Sequence, residues 1–212
     1  LIPEALGNRH YVSHEECDEC NGTYGRLYEN ELGRMLQVER AVQRVRAKDG
    51  GTAIVRSSTG TSYVGGGSFN APLRIHFDKQ DPFLRFDYVD GGAILTVKAP
   101  PFRPMQALRS ILKSAWLAFK PQTRQQYGFL KRFIKNEICF SPSEFFQYFL
   151  FEGWDAVFLE AWQRKAASLL PTAELVVRLT FGHFVLVWCS PETSTLQHCP
   201  SLLPPSVVSL TA

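Results

Sequence analysis

At 212 residues, with 45% hydrophobic and 20% charged side chains, the chain carries enough apolar material for a real core and is no disordered polyampholyte. A net charge of +3 permits nucleic-acid binding without arguing for it. No run of about eighteen apolar residues is present, which argues against a membrane-crossing helix, and five cysteines, two of them spaced as a metal half-site, fit a reducing cytoplasm better than a secreted disulfide framework.

The chain opens on Leu1-Ile2-Pro3-Glu4-Ala5-Leu6-Gly7-Asn8, and after a short spacer holding His14 it reaches Cys17-Asp18-Glu19-Cys20-Asn21. Two thiolates separated by two residues can grip one tetrahedral Zn²⁺, but a closed structural site needs four ligands. Half a zinc site is therefore visible, and the other half is expected upstream of Leu1. A redox use of Cys-x-x-Cys would place it after a strand of a βαβ unit, a pattern not found here. His10, His76 and His183 lack metal-ligand spacing and are read as structural.

Taken together, Leu1 to Gly7, Cys17-x-x-Cys20-Asn21-x-x-x-Gly25 and Glu29-Asn30-Glu31-Leu32 resemble the HNH endonuclease family. The likeness is to its bacterial branch, which reads Cys-x-x-Cys, Glu-His, Ile-Ile-Pro-x-x-Leu-Gly-Gly, Cys-x-x-Cys-Asn. It covers roughly the first 35 residues. The resemblance implies a ββα-metal fold that cleaves nucleic acid, DNA above all, with a His at the end of the first strand as general base. In this chain that His would precede Leu1, so the module is expected to be N-terminally truncated and, by itself, nearly inactive.

By the same resemblance, Cys17 and Cys20 belong to a structural Zn²⁺ site, incomplete here. Asn21 matches the helix position that helps hold a catalytic Mg²⁺ or other divalent ion. His14 falls near the middle Asn of the family name, where an imidazole could position a loop by hydrogen bonding or reach the metal. Asn8 replaces the second Gly of the Leu-Gly-Gly turn, and Asn tolerates a left-handed backbone. The chemistry agrees with such a division of metals. Phosphodiester hydrolysis needs an activated water and neutralised phosphate charge, which an open hard-cation site supplies, whereas thiolates suit zinc. The alternative from a different class is a zinc-stabilised nucleic-acid-binding or interaction module without catalysis.

Further along, residues 26–48 read as one helix, with Tyr28, Leu32, Met35, Val38, Val42 and Val45 on an apolar face. Arg34, Arg40, Arg44, Arg46 and Lys48 fall mostly off that stripe and read as a solvated face; Asp49-Gly50-Gly51 is the predicted stop. The period then changes to two. Residues 52–57, 73–77, 83–89 and 93–97 are predicted strands of one antiparallel sheet, with Asp90-Gly91-Gly92 a hairpin signal. Gly65-Gly66-Gly67 lacks the Lys-Ser/Thr ending of a phosphate loop and is read as a flexible loop.

Helical stripes return at residues 105–119 and 124–138, split by Lys120-Pro121. Arg124, Lys131, Arg132 and Lys135 form a basic cluster that reads first as a solvated face and second as a phosphate-tracking surface. Residues 145–162 are apolar throughout, and periodicity leaves helix or strand open. Residues 174–180 and 184–188 read as a hairpin turning at Phe181-Gly182-His183. The predicted class is α+β: a truncated HNH module over residues 1–48, a mixed domain of unknown role with antiparallel strands and helices over 49–189, and a disordered tail over 190–212.

Overall fold

The computed structural model describes Leu6 and residues 16–46, 50–67, 71–89, 92–98, 100–138, 147–163, 175–189 and 207–211. It consists of short helices and antiparallel strands, the predicted α+β class. Two compact units are present, Leu1–Leu32 with Arg103–Leu202 and Gly33–Phe102 with Leu203–Ala212.

Within the first unit, α1 spans Asp18–Tyr24 and runs without a break into a π-helical turn, Gly25–Glu29; α2, Asn30–Met35, follows and includes the residues at which the division between the units falls. The helical stretch thus starts at Asp18 and not at Arg26. Apolar periodicity could not see this first segment because α1 buries no residue; Asp18 and Glu19 favour it instead by lying against the positive end of the helix dipole.

α4, Pro104–Ala118, opens with Pro at its first turn and buries every residue from Ala107 to Ala115. It packs against the π turn, against α6 (Gly128–Ile134) and against two long strands, β6 (Gln147–Gln163) and β7 (Leu175–Cys189). The helix predicted over 124–138 is in fact two. α5, Pro121–Gln126, and α6 are separated at Tyr127, whose backbone leaves the helical well (φ −104°, ψ 37°) while its side chain is 1% exposed. Asn136 at φ 65° ends α6, with Asn136 N–H donating to Phe133 C=O and Glu137 N–H to Arg132 C=O, a Schellman closure in which Asn takes the left-handed position.

Residues 145–162, undecided from sequence, lie largely in β6, antiparallel to β7. The predicted hairpin within β7 is absent: residues 175–189 are one continuous strand, and Gly182 pairs with Trp154. A Phe-Gly-His triplet resembles a turn when its partner is unknown. Here β6 supplies a partner along the whole length and absorbs the irregularity as two register shifts around Trp154.

In the second unit, α3 (Gln37–Val42) packs on the three-stranded sheet β1 (Ile54–Arg56), β2 (Tyr63–Gly65) and β3 (Ile75–His76). A second sheet is ordered β4 (Leu84–Val89), β5 (Gly92–Lys98), β8 (Val207–Thr211). β8 arises in the stretch read as a disordered tail, and the single predicted sheet is two. Val38, Ala41, Val55, Val64, Leu84 and Val97 form the core, each large side chain contributing about 1.5–3 kcal/mol through removal from water.

The helix predicted to run to Lys48 stops at Val42. Arg44 adopts φ 52°, Val45 N–H donates to Arg40 C=O, and Arg44 Nη1 donates to Ala71 C=O at 2.7 Å. A partner far along the chain thus holds a residue other than Gly in the left-handed position. Arg44 is therefore not on a freely solvated face, and neither is Arg40, whose guanidinium is pulled below its ordinary pKa by burial.

The glycine triplet is no flexible loop either. Gly65 closes β2 at φ 96°, its N–H donates to Arg74 C=O, and a Cβ there would collide with Ala53 O and approach Ala41 Cβ to 2.9 Å. Only Gly permits this close approach of sheet to helix.

Candidate functional site

Cys17 has an extended backbone (φ −73°, ψ 155°) and caps α1: its Sγ accepts the Cys20 backbone N–H at 3.3 Å, and its C=O accepts the Asn21 N–H at 2.9 Å. Sulfur here takes the place that a Ser or Asp oxygen usually fills. Cys20 lies in the first helical turn, and both thiols are exposed. Free cysteine is ordinarily among the most buried residue types, so two exposed thiols on one turn need a chemical explanation.

Hydrogen bonding from the Cys20 thiol, and then from the Cys20 backbone N–H, holds the Cys17 thiol below its ordinary pKa. The same thiol pairing, followed by repulsion from Cys17, pushes Cys20 up. One member of the pair is thereby biased toward thiolate, the form that binds metal. Asn21 follows immediately and is exposed. The structure thus brings Cys17, Cys20 and Asn21 together on one helical turn, while His14 lies outside the described residues, as do His10 and His198. Among the described residues no group of three or more His, Cys, Asp or Glu is placed to hold a metal ion.

What the sequence reasoning missed is how that turn is anchored. Lys113 Nζ on α4 lies 3.1 Å from Glu16 Oε2, 3.9 Å from Glu29 Oε1 and 4.7 Å from the centroid of the Tyr24 ring. The Lys113 side chain is 7% exposed and Glu16 15%, so this pair is weakly screened by solvent. Glu16 immediately precedes Cys17. A buried ammonium therefore fixes the backbone on which the thiols stand.

Two more ties join α4 to its neighbours, one to α6 and the π turn and one to α2. Arg109, 2% exposed, donates from Nε to Phe133 C=O at 2.9 Å and from Nη1 to Gln106 Oε1 at 2.9 Å, with its guanidinium over the Phe133 and Tyr28 rings at 4.8 and 5.9 Å. Glu31 Oε2 accepts the Arg103 backbone N–H at 2.8 Å, at the start of α4. One signal was available: Gln106, Arg109 and Lys113 recur at three- and four-residue steps, a polar stripe on a helix with an apolar one. A stripe of that kind is usually solvated, and only the packing reveals that it is covered.

The basic cluster divides. Lys131 and Lys135 are exposed, Arg132 sits 3.8 Å from Glu137, and Arg124 is spent on α4, donating to Trp116 C=O at 3.0 Å and Leu117 C=O at 2.8 Å. Arg124 caps a helix end and so drops out of any phosphate-tracking surface. Among the described residues no helix is long and apolar enough to cross a membrane. No protein-family model, curated protein or solved structure matches the chain.

Proposed function

We propose that the Cys17–Asn21 turn is the helix start of an HNH-type ββα-metal module, and that a protein carrying the complete module hydrolyses phosphodiester bonds of nucleic acid, DNA above all, with a divalent cation. The observation that supports this most is the placement of two exposed thiols, three residues apart, and an exposed Asn directly after the second, on one clamped helical turn. The donor set fits two thiolate ligands of a structural Zn²⁺, Cys17 and Cys20, with Asn21 and His14 as the groups on this chain that would meet a Mg²⁺ or similar ion. Such a cation, when bound, offsets charge on the phosphate and lowers the pKa of water.

The roles of the chain's own residues follow. Cys17 both caps α1 and donates sulfur, so metal binding and helix initiation are coupled. Asn21 offers a neutral amide oxygen that tolerates ligand exchange. Lys113 with Glu16 keeps the turn from swinging, since attack geometry is lost with displacements of about 1 Å.

The test uses the chain extended at its N-terminus by a Cys-x-x-Cys pair and a Glu-His, the groups the family places before Ile-Pro. We expect one zinc per chain by metal analysis, lost in Cys20→Ser, whereas the 212-residue chain, with only Cys17 and Cys20 in the half-site, holds zinc weakly. We also expect Mg²⁺- or Mn²⁺-dependent plasmid nicking by the extended chain, reduced about 100-fold or more by Asn21→Ala or by removing the added His, the scale at which such groups contribute. A folded, zinc-loaded protein that leaves DNA and RNA intact would sink the nuclease proposal in favour of a binding module.

A further inference from the structure

Across the sheet β1–β2–β3, Arg56 stands opposite Tyr63 and Tyr63 opposite His76. These positions alternate with the buried Val55 and Val64, so the row lies on the face turned away from the core. The Arg56 guanidinium carbon is 5.3 Å from the Tyr63 ring centroid, and the His76 ring stacks on Tyr63 at 5.3 Å with planes 20° apart. Because β2 is the central strand, the guanidinium and the imidazole reach Tyr63 from the strands on its two sides. His76 ends the column on an edge strand, and it is exposed.

The charged side chains that the strands and their connections contribute have one sign. From Gly50 to Phe77 the sequence contains no Asp or Glu, and its basic residues are Arg56, Arg74 and His76. Arg74 immediately precedes β3, its C=O accepts the Gly65 N–H beside Val64, and its side chain is exposed. Among the described residues neither Arg56 nor Arg74 forms an ion pair with a carboxylate. The acidic residues that follow this stretch, Asp78 and Asp81, have their carboxylates engaged by backbone N–H groups and hydroxyls. Asp78 Oδ1 accepts the Gln80 N–H, Asp81 Oδ1 accepts the Phe83 N–H, and Asp81 Oδ2 accepts the Thr59 and Thr61 hydroxyls.

We propose that this row is a platform for single-stranded nucleic acid: an unpaired base stacks on the outer face of His76, extending the Arg56–Tyr63–His76 column, while phosphates of the same strand meet Arg74 near the base and Arg56 farther along the sheet. A base within a duplex has both faces covered by its neighbours, so only an unpaired one can add to the column. An added peptide strand is disfavoured, because β3 offers only two residues of edge. The proposal rests on the nucleic-acid reading above for its relevance to cleavage, but binding is measured without it.

Fluorescence anisotropy of a labelled single-stranded oligonucleotide of about 20 nucleotides, with the full chain and no added divalent metal, is the test. His76→Ala should bind about tenfold more weakly, in keeping with the loss of one stacking contact. Arg56→Ala and Arg74→Ala should each lower the slope of log affinity against log salt by about 0.7. Tyr63→Phe should bind as the parent does, and the same sequence as a duplex should bind less tightly. None of the four altered residues is buried, and circular dichroism of each variant confirms that it has folded. Unchanged binding by His76→Ala and Arg56→Ala, or tighter binding of the duplex, overturns the platform. If the row variants lose binding while the extended chain neither nicks DNA nor holds zinc, the nuclease proposal fails and the platform stands; active nicking with unaltered His76→Ala binding gives the converse.

Discussion

Replacing Lys113 by Met should destabilise the first unit by about 3 kcal/mol and loosen the thiol turn. The ammonium is 7% exposed and lies 3.1 Å from Glu16, and removing one partner of a buried pair leaves the other charge desolvated, a loss of about 3–5 kcal/mol in fully buried cases. Glu16 is 15% exposed, which places the expectation at the lower end. All four tryptophans, at positions 116, 154, 162 and 188, belong to the first unit. Urea unfolding followed by tryptophan fluorescence therefore reads that unit directly. Lys113→Arg should recover much of the loss by keeping the charge, and Lys113→Met should lower the alkylation rate of Cys17, because a loosened turn loses the Cys20 hydrogen bonds that favour its thiolate. An unchanged urea midpoint with Lys113→Met would mean that the ion pair contributes nothing to the stability of this unit.

Gly65→Ala should be the most damaging single methyl in the second unit. The new Cβ would collide with Ala53 O and come within 2.9 Å of Ala41 Cβ, on a backbone at φ 96°. Neither neighbour is the end of a flexible side chain. The sheet must therefore move off α3, and we expect a loss of about 3 kcal/mol or more, combining left-handed backbone strain with overpacking. Gly60→Ala separates the two contributions: its φ is 76°, but nothing lies within 4 Å of the added atom. That variant should lose only the backbone part, about 1–2 kcal/mol. Hydrogen exchange at the Gly65 and Gly66 amides, bonded to Arg74 C=O and Ala53 C=O, provides the measurement. Equal protection losses in the two variants would show that the close approach to α3 carries no energetic weight.

These two positions mark where local sequence stops being informative. Leu108, Leu112 and Ala115 announce α4 by their spacing, and Val89 pairing with Gly92 bears out the hairpin signalled by Asp90-Gly91-Gly92. Both depend on interactions within a few residues. The Cys17–Asn21 turn was likewise legible as a chemical unit, because two thiols and an amide at fixed spacing need no distant partner to be recognised. His14, the other residue singled out, lies outside the described residues.

By itself, then, the sequence determined the α+β class, the stripes of α4 and α6, the strands β4 and β5, and the Cys-x-x-Cys-Asn turn, each written in periodicity or spacing of nearest neighbours. Tertiary structure decided the rest. Lys113 reads as a surface charge until Glu16, far back along the chain, is brought to 3.1 Å. Arg44 ends α3 because Ala71 C=O is there to accept its guanidinium, and Arg124 serves α4 for the same kind of reason. Phe181-Gly182-His183 is strand and not turn because β6 lies alongside it, and Gly65 is indispensable because α3 approaches so closely. In every case the deciding free energy is the desolvation or steric contact of groups remote in sequence, which no local pattern encodes.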